Sequence, residues 1–165
     1  MIEIGLFEGE RVELLDGTVV TMSPHGPAHD GAVDELNEQL QRALGDRARV
    51  RVQSAFAASN GSEPEPDLAV VPRKSYRDAH PDEAWLIIEV ADSSRAKDLG
   101  VKARLYAESR VPEYWVVDLS AQAVEIHLRP ANGGYELKRV ARRGESIAVA
   151  HFPDIELSVD HILGS

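Results

Sequence analysis

Three side chains draw attention for the chemistry they could do together: Asp67, Glu89 and Lys102. Asp67 follows two Glu-Pro pairs and opens an apolar run in EPEPDLAVV, residues 63–71. Glu89 is the single acid inside WLIIEV. Both stretches read as short, continuously apolar strands, the kind buried on both faces. Lys102 belongs to AKDLGVKARLYAES, which reads as a helix. Projected at ~100° per residue, Leu99, Val101, Leu105 and Tyr106 cover one side, and Lys102 falls in the middle of it with Asp98 one turn earlier. A lysine is rarely buried without a partner. It either pairs with Asp98 at i,i+4 or faces a polar pocket supplied by Asp67 and Glu89. Two carboxylates at neighbouring strand ends can share a hard divalent cation such as Mg²⁺ or Mn²⁺. An adjacent ammonium can orient a nucleophile or offset charge on a phosphoryl group. That set suits metal-assisted phosphodiester hydrolysis.

The elements that must position these groups follow from local patterning. Residues 11–23 carry Asp16-Gly17 between β-rich runs, a hairpin signal because the tight turn needs positive φ. Pro27 suits the first turn of a helix running to Leu44, with Ala32, Val33, Leu36, Leu40, Ala43 and Leu44 on its apolar face and His29 on or beside it. ARVRVQSAFA reads as a strand with one basic face, Arg47, Arg49 and Arg51. A second helix is expected over about residues 94–109, with Ser93 and Ser94 as caps. VPEYWVVD reads as a further buried strand carrying Trp115, and Trp85 also reads as core. AVEIHLR, YELKRV and SIAV follow as strands, with Asn132-Gly133-Gly134 as a hairpin turn and FPDIELSVDHIL as an edge strand or turn. The order is hairpin, helix, strands, helix, strands. The expected fold is α/β (α+β): a central mixed sheet flanked by helices, in a single domain spanning 1–165.

Composition narrows the classes. The chain has 165 residues, 43% of them hydrophobic and 28% charged, an ordinary globular balance. No apolar run approaches a spanning helix, the start does not resemble a signal peptide, and there is no cysteine. A cytoplasmic protein without membrane partners is expected. The formal net charge of −10 argues against a general nucleic-acid coat, though not against an enzyme that cuts nucleic acid with local arginines. No dinucleotide fingerprint or phosphate-binding glycine loop is present. Nor is there a serine-nucleophile elbow. The six histidines read as scattered, and no structural zinc site is expected.

With Pro66-Asp67, Glu89 in its apolar strand and the helical lysine in place, the chain resembles the PD-(D/E)XK nuclease superfamily. It resembles more closely the Uma-two family of bacterial endonucleases. The matching stretches are VELLDGTVVTMSP with His29 after it, EPDLAVV, LIIEVADSS and KDLGVKARLYAESRVPEYWVVD, together most of residues 12–118. The resemblance implies a restriction endonuclease-like fold, Mg²⁺ or Mn²⁺ held by Asp67 and Glu89, Lys102 as catalytic lysine, DNA as substrate and a homodimer. Ala91 stands where the parent motif has its lysine, two residues after Glu89; the family reading moves that lysine to the helix.

Other residues carry two readings each. Glu13 is a supporting acid or an exposed strand residue. His29 contacts phosphate or water, or is a histidine satisfied at the helix start. Tyr106 reads as packing with a tethered hydroxyl, or as a supporting residue of the site. Arg49, Arg51, Arg73 and Lys74 read as solvated charge, and as the first places to look for nucleic-acid contact. The rival to a nuclease is a non-catalytic interaction protein that uses the inward charges structurally.

Overall fold

A computed structural model describes residues 9–92 and 96–164 of the chain, with the side chains of 96–98 left out. Ser93 and Ser94, expected as caps, and the Asp98 side chain, expected as a partner for Lys102, lie outside the described residues.

The first hairpin forms as its turn residues require. Strand β1 (Val12–Leu15) pairs antiparallel with β2 (Thr18–Thr21), and Asp16 and Gly17 both take positive φ, 48° and 77°. Helix α1 (Pro27–Leu44) starts on Pro27 and buries His29, Ala32, Val33, Leu36, Leu40 and Leu44; Ala43 is on its exposed flank. Strand β3 (Arg49–Val52) is followed by β4 (Leu68–Val71) and β5 (Leu86–Ala91), both buried along their whole length. Helix α2 (Ala96–Glu108) leads to β6 (Glu113–Asp118). Strands β7 (Ala123–Ala131) and β8 (Gly134–Arg142) meet at the Asn132-Gly133 turn. The chain closes with β9 (Ser146–Val149), β10 (Phe152–Ser158) and the short α3 (Val159–Leu163).

Strands β3 to β8 form one six-stranded sheet in chain order. Every neighbouring pair is antiparallel except β5 and β6, which run parallel and are joined through α2. A parallel pair cannot be closed by a tight turn, so the connection must cross the sheet, and a helix does so. The two faces follow strand alternation. Leu68, Val70, Ile88, Val90, Trp115 and Val117 pack under α1, β10 and α3. Ala69, Val71, Ile87, Ala91, Tyr114 and Val116 form the opposite face, with Tyr106 of α2.

Several expectations are adjusted. The tail is not an edge of the central sheet: β9 and β10 form their own two-stranded sheet, which covers the α1 face. Arg47 does not share the basic strand face. It precedes β3, binds Asp154 and the Ala43 carbonyl, and lies 5.3 Å over the Phe152 ring. Val101 is 39% exposed, because the buried stripe of α2 centres on Lys102, Leu105 and Tyr106 and leaves Val101 on its flank. Trp115 is fully buried, whereas Trp85 is half-buried and stacks on His151 at 4.5 Å.

Leu36 is completely buried where α1 meets the sheet. Leu36→Ala is expected to cost about 2–5 kcal/mol through lost transfer energy and a residual cavity. Urea unfolding with an unchanged slope checks this; a loss near zero would mean that α1 does not seal the core.

Candidate active site

The opening strand pair explains Asp67. Prolines 64 and 66 keep the approach extended and donate no backbone hydrogen bond. The carbonyl of Pro64 accepts from Phe56 N at 2.9 Å, and that of Asp67 from Gln53 N at 3.0 Å. Asp67 stands one residue before β4. The register pairs Leu68 with Ile88, so its continuation sets Asp67 opposite Glu89. The two carboxylates therefore meet at one end of an antiparallel pair, on the α2 face by alternation. Asp67 Oδ2 accepts from Val90 N at 2.8 Å, and its Oδ1 lies 3.2 Å from His29 Nε2. Burial pushes the Asp67 carboxyl up, but His29, Val90 N and Lys102 outweigh it and hold the group below its ordinary value.

Lys102 reaches the same place from α2. Its ammonium donates to Glu13 Oε1 at 2.8 Å and to Glu89 Oε1 at 3.0 Å, and the residue is only 6% exposed. Tyr106, one turn further along α2, donates its hydroxyl to the same Glu89 oxygen at 3.0 Å. Burial is the largest influence on Lys102 and works against its charge, yet Glu89 and Glu13 together keep it protonated and raise its pKa. Glu89 moves the other way. Burial, with help from Asp67 and Glu13, pushes its carboxyl up to about 7 despite the opposing ammonium.

Glu13 is delivered by the hairpin. Strand β1 alternates so that Glu13 and Leu15 face inward, and Glu13 is 5% exposed, not a solvated strand residue. Its Oε1 also accepts from Glu65 N at 2.8 Å. The hairpin is fastened by a bridge between Leu14 and Glu63, by Ser62 Oγ accepting from Asp16 N at 3.0 Å, and by the Arg11–Glu65 and Arg104–Asp16 pairs at 2.9 and 2.6 Å.

A narrow cavity of about 40 Å³ lies against Glu13, Glu89 and Lys102. Thr21, Met22 and Ser23 line it and also line a wider cavity of about 690 Å³ that includes Arg11, His25 and Asp30. The inner donor set is three carboxylates with one ammonium. Hard oxygen ligands on two adjacent strands fit Mg²⁺ or Mn²⁺ rather than a thiophilic ion.

A family model described as "Putative restriction endonuclease" matches residues 3–160. The chain belongs to the Uma2 family. Among solved structures it is similar to a crystal structure of a "putative nuclease belonging to DUF820" from Anabaena variabilis ATCC 29413. The TM-score is 0.76 at 16% identity, over 92% of this chain and 89% of that one, which shows a shared fold. No curated protein matches the chain. The expected architecture, a central mixed sheet with flanking helices and an N-terminal hairpin, is that of this Uma2 chain.

Glu13, His29, Asp67, Glu89, Lys102 and Tyr106 are thus brought together. The arginines are not part of that cluster. Arg49 and Arg51 lie on β3 beside Tyr76 and Arg77, around a second cavity of about 530 Å³, with Arg51 5.4 Å and Lys74 5.5 Å over the Tyr76 ring. Arg73 turns away to Asp46 at 3.6 Å. The histidines are not all scattered. His25 and His29 are spaced H-x₃-H, their rings stack at 3.8 Å, and Asp30 stands beside both. That spacing was the signal for a group that pattern reading passed over.

The raised Glu89 carboxyl has a consequence for stability. Its contribution is present below the ordinary carboxylate value and is lost as pH rises through about 7. Asp67, held low, contributes above its unfolded value and does not change in that window. In metal-free buffer the wild type should therefore lose stability relative to Glu89→Gln between about pH 5 and pH 8. Chemical denaturation at each pH checks this, and parallel pH curves for the two proteins would show that Glu89 is not elevated.

Proposed function

We propose that this Uma2 chain is a divalent-metal-dependent endonuclease that hydrolyses phosphodiester bonds in DNA. The observation that carries the reading is the meeting of Asp67 and Glu89 on adjacent strands with the Lys102 ammonium 3.0 Å from Glu89. Asp67 and Glu89 would hold Mg²⁺ or Mn²⁺. When bound, such an ion supplies positive charge to the phosphate and eases deprotonation of water. Lys102 orients Glu89 and presents an ammonium to the charge that develops as a water oxygen bonds to phosphorus and the bridging P–O bond breaks. Tyr106 fixes the Glu89 carboxylate, and His29 fixes that of Asp67. Glu13 shares the lysine and keeps its chain extended toward the site. Arg49 and Arg51 continue along the edge strand from the acid end, with Lys74 and Arg77 beside them, and suit contact with the DNA backbone. Cutting both strands of a duplex would call for two sites, hence a homodimer.

One observation favours the rival reading, an interaction protein that retains the fold. Lys102 already contacts Glu13 and Glu89 directly, so two of the three carboxylates have a counter-ion within the protein. The two readings differ in their response to metal. A ligand that binds the folded state at about 100 times its Kd adds about 2.7 kcal/mol of stability, whereas a purely structural network gains nothing.

Cleavage of a supercoiled plasmid and a labelled single strand, with Mg²⁺ or Mn²⁺ against EDTA, tests the function. Metal-dependent cutting is expected, falling at least about 100-fold in Asp67→Ala and in Lys102→Ala. Absence of cutting with either ion, together with a melting temperature that neither ion moves, would favour the interaction protein.

A further inference from the structure

Of the cluster at the start of α1, His29 enters the nuclease reading only through Asp67, and His25 and Asp30 enter neither reading. Asp30 Oδ1 lies 3.2 Å from His29 Nδ1 and 3.5 Å from His25 Nδ1. One donor atom from each of the three residues lies within 4.8 Å of the others. We propose that His25, His29 and Asp30 form a second cation site, for a borderline transition-metal ion such as Zn²⁺ or Co²⁺, distinct from the Asp67–Glu89 pair.

Donor spacing supports this. Ligands held about 2.0–2.2 Å from a tetrahedral ion stand roughly 3.4 Å apart. The two Asp30 separations bracket that value. Donor type supports it as well: two imidazoles and one carboxylate select borderline ions over Mg²⁺, which prefers oxygen.

The surroundings of His29 point the same way. Its Nε2 faces Asp67 Oδ1 at 3.2 Å. In the metal-free protein Asp30 Oδ1 can only accept from His29 Nδ1–H; an ion bound between them would take the place of that proton and leave Nε2–H turned to Asp67. Metal-bound histidines characteristically give their other N–H to a carboxylate in this way. The backbone is also prepared. Pro24 and Pro27 flank the His25-Gly26 segment and fix φ on either side. The two rings are stacked with 23° between their planes. Gln53 Nε2 stands 3.3 Å from His25 Nδ1, so an ion bound at that nitrogen would displace this amide contact.

An acid in the first helical turn is expected on dipole grounds alone. That accounts for Asp30 but not for a second imidazole stacked beside it. The half-exposed side of the cluster opens into the cavity of about 690 Å³, which leaves room for water or an anionic ligand to complete the coordination.

The proposal does not depend on nuclease activity, and Co²⁺ is a suitable probe. Equilibrium dialysis and visible absorption of the full chain should show cobalt bound through nitrogen ligands. Affinity should fall at least about 10-fold in His25→Ala and in Asp30→Asn. The nitrogen-ligand absorption of bound cobalt, and the affinity it reports, should be the same in Glu89→Gln as in wild type, whatever the carboxylate pair takes up. In wild-type protein, Zn²⁺ should shift the imidazole ¹⁵N resonances of His25 and His29 and leave His80, His127, His151 and His161 in place. Cobalt affinity unchanged in His25→Ala and Asp30→Asn would overturn the proposal, as would unmoved His25 and His29 resonances. The resonance experiment decides even if a variant fails to fold. Cobalt binding lost only in Glu89→Gln would also overturn it, while assigning the ion to the carboxylate pair and leaving the nuclease reading intact.

Discussion

A lysine ammonium withdrawn from water is the constraint on which the rest of this structure depends. Effective desolvation of such a charge costs several kcal/mol and is recovered only with close, well-oriented partners. Lys102 has two, and they come from parts of the chain far apart in sequence: Glu89 from the centre of the sheet and Glu13 from the N-terminal hairpin. The hairpin is not part of the central sheet. Its fastening through Ser62, Glu63, Glu65 and Arg104 holds Glu13 over the lysine. The charges do not cancel. Glu13, Asp67 and Glu89 face one lysine and His29, and the Glu89 carboxyl is pushed up to about 7, first by burial and further by the two neighbouring acids.

Topology explains how the lysine arrives from a helix. The parallel pair of the central sheet, β5 with β6, forces a crossover, and α2 is that crossover. Because it leaves from the end of the strand that carries Glu89 and returns over the same face, its inward residues pass above that carboxylate. Ala91, on the same face as Glu89, is 3% exposed. In the acid-x-lysine motif that this chain resembles, that position is the lysine; here it is alanine, and the ammonium beside Glu89 is that of Lys102. The ammonium comes from a different element, and the sheet face stays compact.

Much of this was legible in the sequence because burial imposes a period. The limits of α1, the hairpin turn at Asp16-Gly17, the apolar strands β4 to β6 and the inward direction of Lys102 all follow from spacing and turn chemistry. What was not legible depends on contacts between distant segments. A four-residue strand reads the same whichever face is buried, so Glu13 stayed ambiguous until Ser62 and Glu63 were seen to anchor its hairpin. The place of Arg47 was set by Asp154, more than a hundred residues away. The tail was short and mixed, and only packing on α1 made it a separate two-stranded sheet. His25 differs from these. Its spacing from His29 was in the sequence all along, but a loop histidine before Gly26-Pro27 carries no helical or strand period to mark it.

The overall charge of −10 bears on how a polyanion could be handled. The positive side chains are not spread evenly around the acidic cluster. Arg49, Arg51, Lys74 and Arg77 gather around Tyr76 along the edge of the sheet, where long cationic side chains also discourage pairing with a second sheet. Asp67 lies at the end of the next strand, β4, and Glu89 on the strand beyond it, β5. A phosphate backbone would therefore meet an attractive edge and a repulsive centre, and the repulsion falls only when the centre has gained positive charge. On the nuclease reading, this arrangement places cation binding before productive DNA binding, because screening by salt at ordinary ionic strength acts weakly on groups as buried as Asp67 and Glu89.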